Sequence, residues 1–364
     1  MNTLNGEKNV IELIPYNEVK KWNTIVDSYK KADVYFKCEY AVSFMENEDG
    51  VPYLLSYQGE NGRLCYPIVE KDISNFSKFR DILEKGKYFD WNTPYGYGGP
   101  LSEGDAFCEE EQNRFKNELF ELAKSRNVVS QFLRFHPLLQ NQTVCDKAIE
   151  NVYIKDTVFI DLDTDDDLLV QMDSKNRNLI RKAQKSDIII EHDKGTRVED
   201  FMKIYETTMD RDNATDFYYF PKSYYDYMSK NMSNETEYFY AFKDGVMVAA
   251  SIFFYSGDSM HYHLSANLVD YRTYAPTNLL LYTAANWGRE NGMKKLHLGG
   301  GVGVEDSLFH FKKQFNKNGR IAFYIGRNIF DQEKYNELLQ LRKRNCEEFD
   351  VNNSYYIQYR NPNN

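Results

Sequence analysis

Lys312 stands in the setting that most suggests chemistry. The spacing of Phe311-Lys312-Lys313-Gln314-Phe315 and the residues before it predicts a helix over Asp306–Phe315, with Leu308, Phe311 and Phe315 as an apolar stripe at i, i+3 and i+7. Lys312 falls about 40° from Leu308 around such a helix, at the edge of the stripe, while Lys313 points to solvent. An ammonium on that border can reach into a cleft and steady a phosphate or a developing oxyanion, or it can lay its stem on the core and keep its head in water. Just upstream, Gly299-Gly300-Gly301 ends a short strand, Lys294–Leu298, and would let a ligand approach the backbone closely. Asp306 suits the cap of the following helix better than a catalytic base. Phe311, on the stripe beside Lys312, is counted with the ligand contacts.

His261 and His263 alternate along a strand, so they share one side with Tyr262 opposite. Two histidines at i and i+2 can hold a metal, but neither a carboxylate nor a cysteine is placed to complete the site, and no metal or other cofactor is implied. They read instead as a satisfied or substrate-contacting pair. The loop Pro94-Tyr95-Gly96-Tyr97-Gly98-Gly99-Pro100 offers two aromatic walls, Tyr95 and Tyr97, and open backbone, suited to a sugar or peptide; a purely structural turn would look the same. His136, before Pro137, reads as structural. The acidic run Asp163–Asp167 reads as a helix cap and first turn rather than a metal site, and Lys175, Arg177, Arg181 and Lys182 as a solvated face.

Around these residues the pattern is α+β. A strand over Val10–Ile14 and a helix near Asn17 precede a hairpin, Val51–Tyr57 and Arg63–Val69, turned at Gln58–Gly62. A helix from about Asp105 to Ser125 and a strand through Val128–His136 follow. The second half opens with a strand over Thr157–Leu162 and a helix from about Asp166 to Lys185. Next come a helix over Val198–Arg211, an aromatic loop over Asp216–Tyr227, and a meander of three strands, Glu237–Phe242, Val246–Tyr255 and Ser259–Ala266. A helix over Thr277–Asn291 stops at Gly292. Beyond Lys312 lie a strand over Arg320–Gly326 and a helix over Gln332–Cys346. The hairpin, helix and strand of the first half loosely repeat the second, which suggests duplication, with domains at 1–155 and 156–364.

The bulk numbers agree with two domains. The chain has 364 residues, 42 % of them hydrophobic, and its 29 tyrosines lower the hydropathy without reducing the rings available for a core. No stretch approaches the roughly eighteen apolar residues of a membrane span, and Met1–Val10 is too polar for a signal peptide. Five scattered cysteines outside any CxxC pair fit a reducing, cytoplasmic setting. A net charge of -10 argues against a broad nucleic-acid-binding surface but leaves room for a small basic pocket.

The order of elements in the second half resembles the GNAT acyltransferase fold, and the wording resembles its Fem-type branch, the aminoacyl- and peptidyl-transferases of peptidoglycan cross-bridges. The likeness is carried by the Tyr95–Gly99 loop, Arg134-Phe135-His136-Pro137, Asn178-Leu179-Ile180-Arg181-Lys182-Ala183 and His261-Tyr262-His263-Leu264-Ser265-Ala266. It continues in Pro276-Thr277-Asn278-Leu279-Leu280, Leu298-Gly299-Gly300-Gly301 and Phe311-Lys312-Lys313-Gln314-Phe315. The resemblance implies two GNAT-like domains of mixed, mostly antiparallel sheets flanked by helices. The stretch from Ser186 to Glu237 is too short and too poor in heptads for the coiled-coil arm of tRNA-using members.

It also implies transfer of an aminoacyl or acyl group to an amine, with Lys312 as the catalytic residue of the Phe-Lys motif. In GNAT enzymes a glycine-rich loop holds the pyrophosphate of acyl-CoA; here it reads Arg272-Thr273-Tyr274-Ala275-Pro276-Thr277, losing its glycines and one N–H. Aminoacyl-tRNA is therefore the implied donor, or else another acyl carrier, with Arg272 and Asn278 flanking the altered loop and Arg272 able to fork a phosphate or carboxylate. The muramyl-peptide branch begins an early helix with Gln-x-x-x-Trp and a lysine one turn on, whereas this chain has Tyr35-Phe36-Lys37-Cys38-Glu39-Tyr40 followed by Ala-Val-Ser-Phe-Met. The acceptor is thus a small molecule or cell-envelope precursor, either a peptidoglycan precursor or a related amino sugar. Two other readings stand beside this one: an acyl-CoA-dependent N-acyltransferase of surface-polysaccharide synthesis, and a catalytically silent protein that binds cell-wall fragments.

Overall fold

Period-two alternation and tight turns set the strands of the first half. It runs β1 (Val10–Pro15), α1 (Val19–Asp27), α2 (Cys38–Ser43), β2 (Val51–Gln58), β3 (Arg63–Asp72), β4 (Phe89–Asn92), β5 (Leu101–Glu103), α3 (Glu109–Ser125) and β6 (Val128–Arg134). The second half runs β7 (Glu150–Asp161), α4 (Ser174–Gln184), β8 (Ile189–Asp193), α5 (Val198–Arg211), α6 (Lys222–Asn231), β9 (Thr236–Lys243), β10 (Val246–Ser256) and β11 (Ser259–Asn267). It ends with α7 (Pro276–Glu290), β12 (Lys295–Gly299), α8 (Ser307–Lys313), β13 (Arg320–Ile329) and α9 (Gln332–Asn345). This computed structural model describes residues 10–45, 50–103 and 107–363. The polar start, Met1–Asn9, and the expected beginning of α3 at Asp105 lie outside the described residues.

The chain forms two units, one up to Ile154 together with Tyr324 onward, the other Lys155–Phe323. This corrects the expected boundary: residues 324–364 pack with the first unit, not with the second domain. The reason is in the strand order. In the first unit β1, β2, β3 and β4 pair antiparallel in sequence, β4 lies parallel to β6, and β6 takes β13 antiparallel. In the second, β8, β9, β10 and β11 pair antiparallel, β11 lies parallel to β12, and β12 takes β7 antiparallel. A parallel pair needs a crossover, which α3 supplies in one unit and α7 in the other. Each unit is thus an α+β assembly of the same order, closed by a strand from a distant part of the chain.

The cores follow the predicted periodicities. In α5 Phe201, Ile204, Tyr205 and Thr208 are buried, the i, i+3, i+4, i+7 face. In α7 Leu280, Leu281, Ala284 and Ala285 are fully covered, each leucine contributing about 1.5–3 kcal/mol of burial. Gly288 lets α7 press onto the strands: a Cβ there would meet Met260 Sδ at 2.9 Å and Leu162 at 3.2 Å. Pro276 opens α7, and Gly292, at φ +83°, follows its end.

Three local expectations change. The helix predicted from Asp166 is a short 3-10 turn over Leu168–Gln171, with Asp167 accepting from Leu169 N, and then α4, which begins only at Ser174. The aromatic loop over Asp216–Tyr227 contains the start of α6, which buries Tyr224, Tyr225 and Met228. Strands β4, β5 and β8 had no counterpart in the pattern; each is short. The stretch from Ser186 to Glu237 holds β8, α5 and α6 and no coiled-coil arm.

Candidate functional site

The parallel pair of the second unit opens into a fork. β11 and β12 stay in register at three positions only, Ser259 with Lys295, Met260 with Leu296 and His261 with His297. Beyond them β11 continues as Tyr262-His263-Leu264, and β12 ends in the triglycine turn. A bulge between Ile252 and Phe253 on the β10 side shifts the register so that His263 is passed over, bending β11 at this point.

Lys312 bridges the two arms. Its Nζ donates to Gly300 O at 2.7 Å and lies 5.9 Å from the centroid of the Tyr262 ring. The expected stripe on α8 is corrected here: Leu308 is 40 % exposed, and the buried face is Phe309, Lys312 and Phe315. Lys312 is therefore at the centre of the buried face, 8 % exposed, and not on its border. Burial lowers its amine to about 7, the nearby Lys155 charge pushes the same way, and Asp306 only partly opposes them.

Lys155, on β7, is the residue the sequence reading missed. Its Nζ donates to Gly301 O at 2.6 Å and Val302 O at 3.0 Å, so two lysines hold the carbonyls of three successive residues. Desolvation lowers its amine too, with Asp306 opposing. Nothing in the spacing of Lys155 marks it, because its partners are backbone atoms of a turn 146 residues on. Asp306 caps α8 as expected, accepting from Phe309 N and Gly303 N at 2.8 Å. Desolvation raises its carboxyl, but those N–H groups and Lys155 outweigh it and hold it below the usual range. The glycines serve this geometry: Gly299 sits at φ +73°, and a Cβ on Gly301 would fall 1.9 Å from Asp306 Oδ1.

The two histidines lie on the opposite face of the strands from Lys312. Tyr262, Met260, Leu296 and Leu298 face the core beneath α7 and α8, so His261 and His297 between them face away, their ring centroids 5.8 Å apart. His297, also missed, meets Thr157 Oγ1 at 2.9 Å; a histidine inside the short apolar run Lys295–Leu298 was the available signal. His263 Nε2 meets Tyr224 Oη of α6 at 2.6 Å. Burial and His261 lower the His263 imidazole to about 3, so it is neutral.

The remaining candidates separate. Asn278 is buried and donates to Asn176 Oδ1 at 2.8 Å, tying α7 to α4, which is a structural task. Arg272 is exposed, its Nε 3.3 Å from Asn267 Oδ1, and Phe311 packs on the core beside Lys312. The loop before α7 is corrected in one respect: Ala275 holds φ +55°, so the left-handed turn survives without glycine. Tyr95 and Tyr97 belong to the other unit, where the loop is tightly packed. Tyr95 O accepts from Tyr40 Oη at 2.8 Å, Tyr97 meets Tyr35 edge-on, and a Cβ on Gly96 would come within 2.7 Å of the Tyr35 ring.

Comparison with known proteins bears on the fold. The acetyltransferase (GNAT) domain model matches residues 173–313, which include Lys312, and the FemAB family model matches residues 108–237. No curated protein matches the chain in sequence. Among solved structures, FemX shares the fold with a TM-score of 0.66 at 15 % identity, over 90 % of this chain and 99 % of its own. The C-terminal domain of a putative lysylphosphatidylglycerol synthetase from Agrobacterium fabrum gives 0.52 at 12 % identity, over 89 % and 94 %. A tandem GNAT protein from the clavulanic acid biosynthesis pathway gives 0.51 at 9 %, over 88 % and 99 %. The two family models match parts of a chain whose fold FemX shares along nearly its whole length, and together they support an acyltransferase similar to the GNAT and FemAB families.

Proposed function

We propose that the protein transfers an aminoacyl or acyl group to the amine of a peptidoglycan precursor or a related cell-envelope amino sugar, with aminoacyl-tRNA as donor. The observation that carries this reading is the fork between β11 and β12, with Lys312 reaching from one arm to the other. Strand edges that part company expose backbone groups, and an extended acyl donor can pair with them. A carbonyl lodged there lies within reach of the Lys312 amine. Transfer needs a C–N bond formed by the acceptor nitrogen as the donor's ester bond breaks, with a tetrahedral oxyanion between. Lys312 is the catalytic group in this reading, and the turn Gly299-Gly300-Gly301 shapes the site.

An acyl-CoA donor is the second reading, and one observation favours it. The left-handed backbone at Ala275 keeps the turn at the head of α7, where a GNAT loop holds pyrophosphate, even though Pro276 removes one N–H.

A calorimetric and thermal-shift titration separates the two. In the first reading a UDP-muramyl peptide raises Tm, acetyl-CoA and longer acyl-CoAs do not, and Lys312→Ala abolishes transfer. Micromolar binding of a CoA thioester would put the second in its place. Full transfer by Lys312→Ala would remove Lys312 from both.

A further inference from the structure

Lys155 and Lys312 approach the same turn from different elements, β7 and α8, and between them hold the carbonyls of Gly300, Gly301 and Val302. The Lys312 side chain is buried, and three titratable groups among the described residues act on it or lie against it. From β7 comes Lys155; from the cap of α8, Asp306; from β11, Tyr262. Asp306 spends its oxygens on the N–H groups of Phe309 and Gly303. The Tyr262 phenol is kept protonated by burial, beside Ser265 and Ser251. The carboxylates of Asp156 and Glu305 are taken by Arg320 at 2.6 and 2.5 Å. A buried ammonium with a like charge opposite and no carboxylate of its own is a poor cation, whereas a neutral amine avoids the cost of burying the charge.

We propose that Lys155 is a positioning residue for the transfer reaction: it fixes the triglycine turn through two carbonyls and sets a like charge against the buried amine of Lys312, which accepts the proton of the attacking nitrogen. This rests on the reading of Lys312 as the group at the reacting carbonyl. The acceptor nitrogen adds to that carbonyl, and its surplus proton passes to Lys312 Nζ. The bond to the leaving oxygen then breaks, and the same proton returns to that oxygen, leaving Lys312 neutral for the next cycle. Such a base supplies the proton acceptor that an attacking amine needs. The lowered amine of Lys312 agrees with it.

The test is an NMR titration of the Lys312 Nζ in the full chain labelled with 13C,15N-lysine, comparing the natural protein with K155M, K155Q and K155R. The expected midpoint lies near neutral pH in the natural protein and in K155R. It rises by about one pH unit or more in K155M and K155Q, where the like charge is gone. K155Q can still donate to the turn, so it separates charge from loop-holding and serves if K155M does not fold. A Lys312 still protonated above pH 9 in the natural protein, or a midpoint that K155Q and K155M leave in place, overturns the proposal. The titration needs no substrate, so an ill-chosen donor cannot imitate that failure; the transfer assay of Lys312→Ala tests the functional reading separately.

Discussion

Burying a lysine beside another lysine costs stability, and the sign of that cost can be followed with pH. The folded-state pKa of Lys312, about 7, lies below the free value of 10.5. Below about 7 the amine is charged in both states and the full burial cost is felt. Between there and 10.5 the unfolded chain binds more protons, so stability rises with pH, and above it the cost has gone. Lys312→Met should therefore stabilise the fold at pH 6, on the order of 3 kcal/mol, with the gain shrinking as the pH rises toward 10.5. Urea denaturation at pH 6, 8 and 10 would measure it; a gain that does not change with pH would contradict the buried charge. Lys312 was legible in the sequence, but the stripe used to find it was only partly the buried one: Phe311 and Phe315 pack on the core, while Leu308 is exposed and Phe309 takes its place. A seven-residue helix has too few turns for periodicity to fix its inward face. Arg272 and Asn278 drew notice by type and position, and only their partners, Asn267 and Asn176, show what each does here.

The turn and helix that carry Lys312 are set by one aspartate and one glycine. Asp306 satisfies the N–H of Phe309 and folds the Gly303 amide back on itself, and Gly301 is the space in which its carboxylate sits. Asp306→Ala should cost about 1 kcal/mol as the loss of a helix cap. Gly301→Ala should displace the same carboxylate by steric contact. Both variants should lower transfer more than they lower Tm, because they move the carbonyls that Lys155 and Lys312 hold. Thermal melts beside steady-state assays would decide; a proportional fall in both would mean that the turn is only scaffold. The cap was readable from Asp306 and the apolar run after it. The short strands β4, β5 and β8 were not, because three to five residues pair only when a neighbouring strand is already in place.

At the scale of the molecule, the first unit depends on the far end of the chain. Ile73, Phe79 and Val129 share a core cluster with Tyr335, Leu338, Leu339, Phe349, Ile357 and Tyr359. Asp90, itself 2 % exposed, is bonded by Ser130, Tyr359 and Arg360. A fragment ending at residue 155 would bare that cluster and leave Asp90 with one of those three donors. It should be unfolded or molten by circular dichroism and proteolysis, and joining residues 324–364 to it by a linker should restore cooperative melting. A stable, cooperative 1–155 fragment would speak for the boundary that the sequence suggested.

What the sequence determined by itself was what local chemistry and periodicity can fix. The α+β order, the meander before α7, the cap at Asp306, the glycines after β12 and the Phe-Lys motif that drew attention to Lys312 were all readable there. Tertiary structure alone decided three things. It placed Lys155 on the turn that Lys312 holds, put the histidines on the face away from Lys312, and returned β13 and α9 to the first unit. Each of these is a contact between residues far apart in the chain. Composition and spacing carry no record of such contacts, because the energy that selects them, burial of shared apolar surface and pairing of backbone carbonyls, exists only once the distant segments have met.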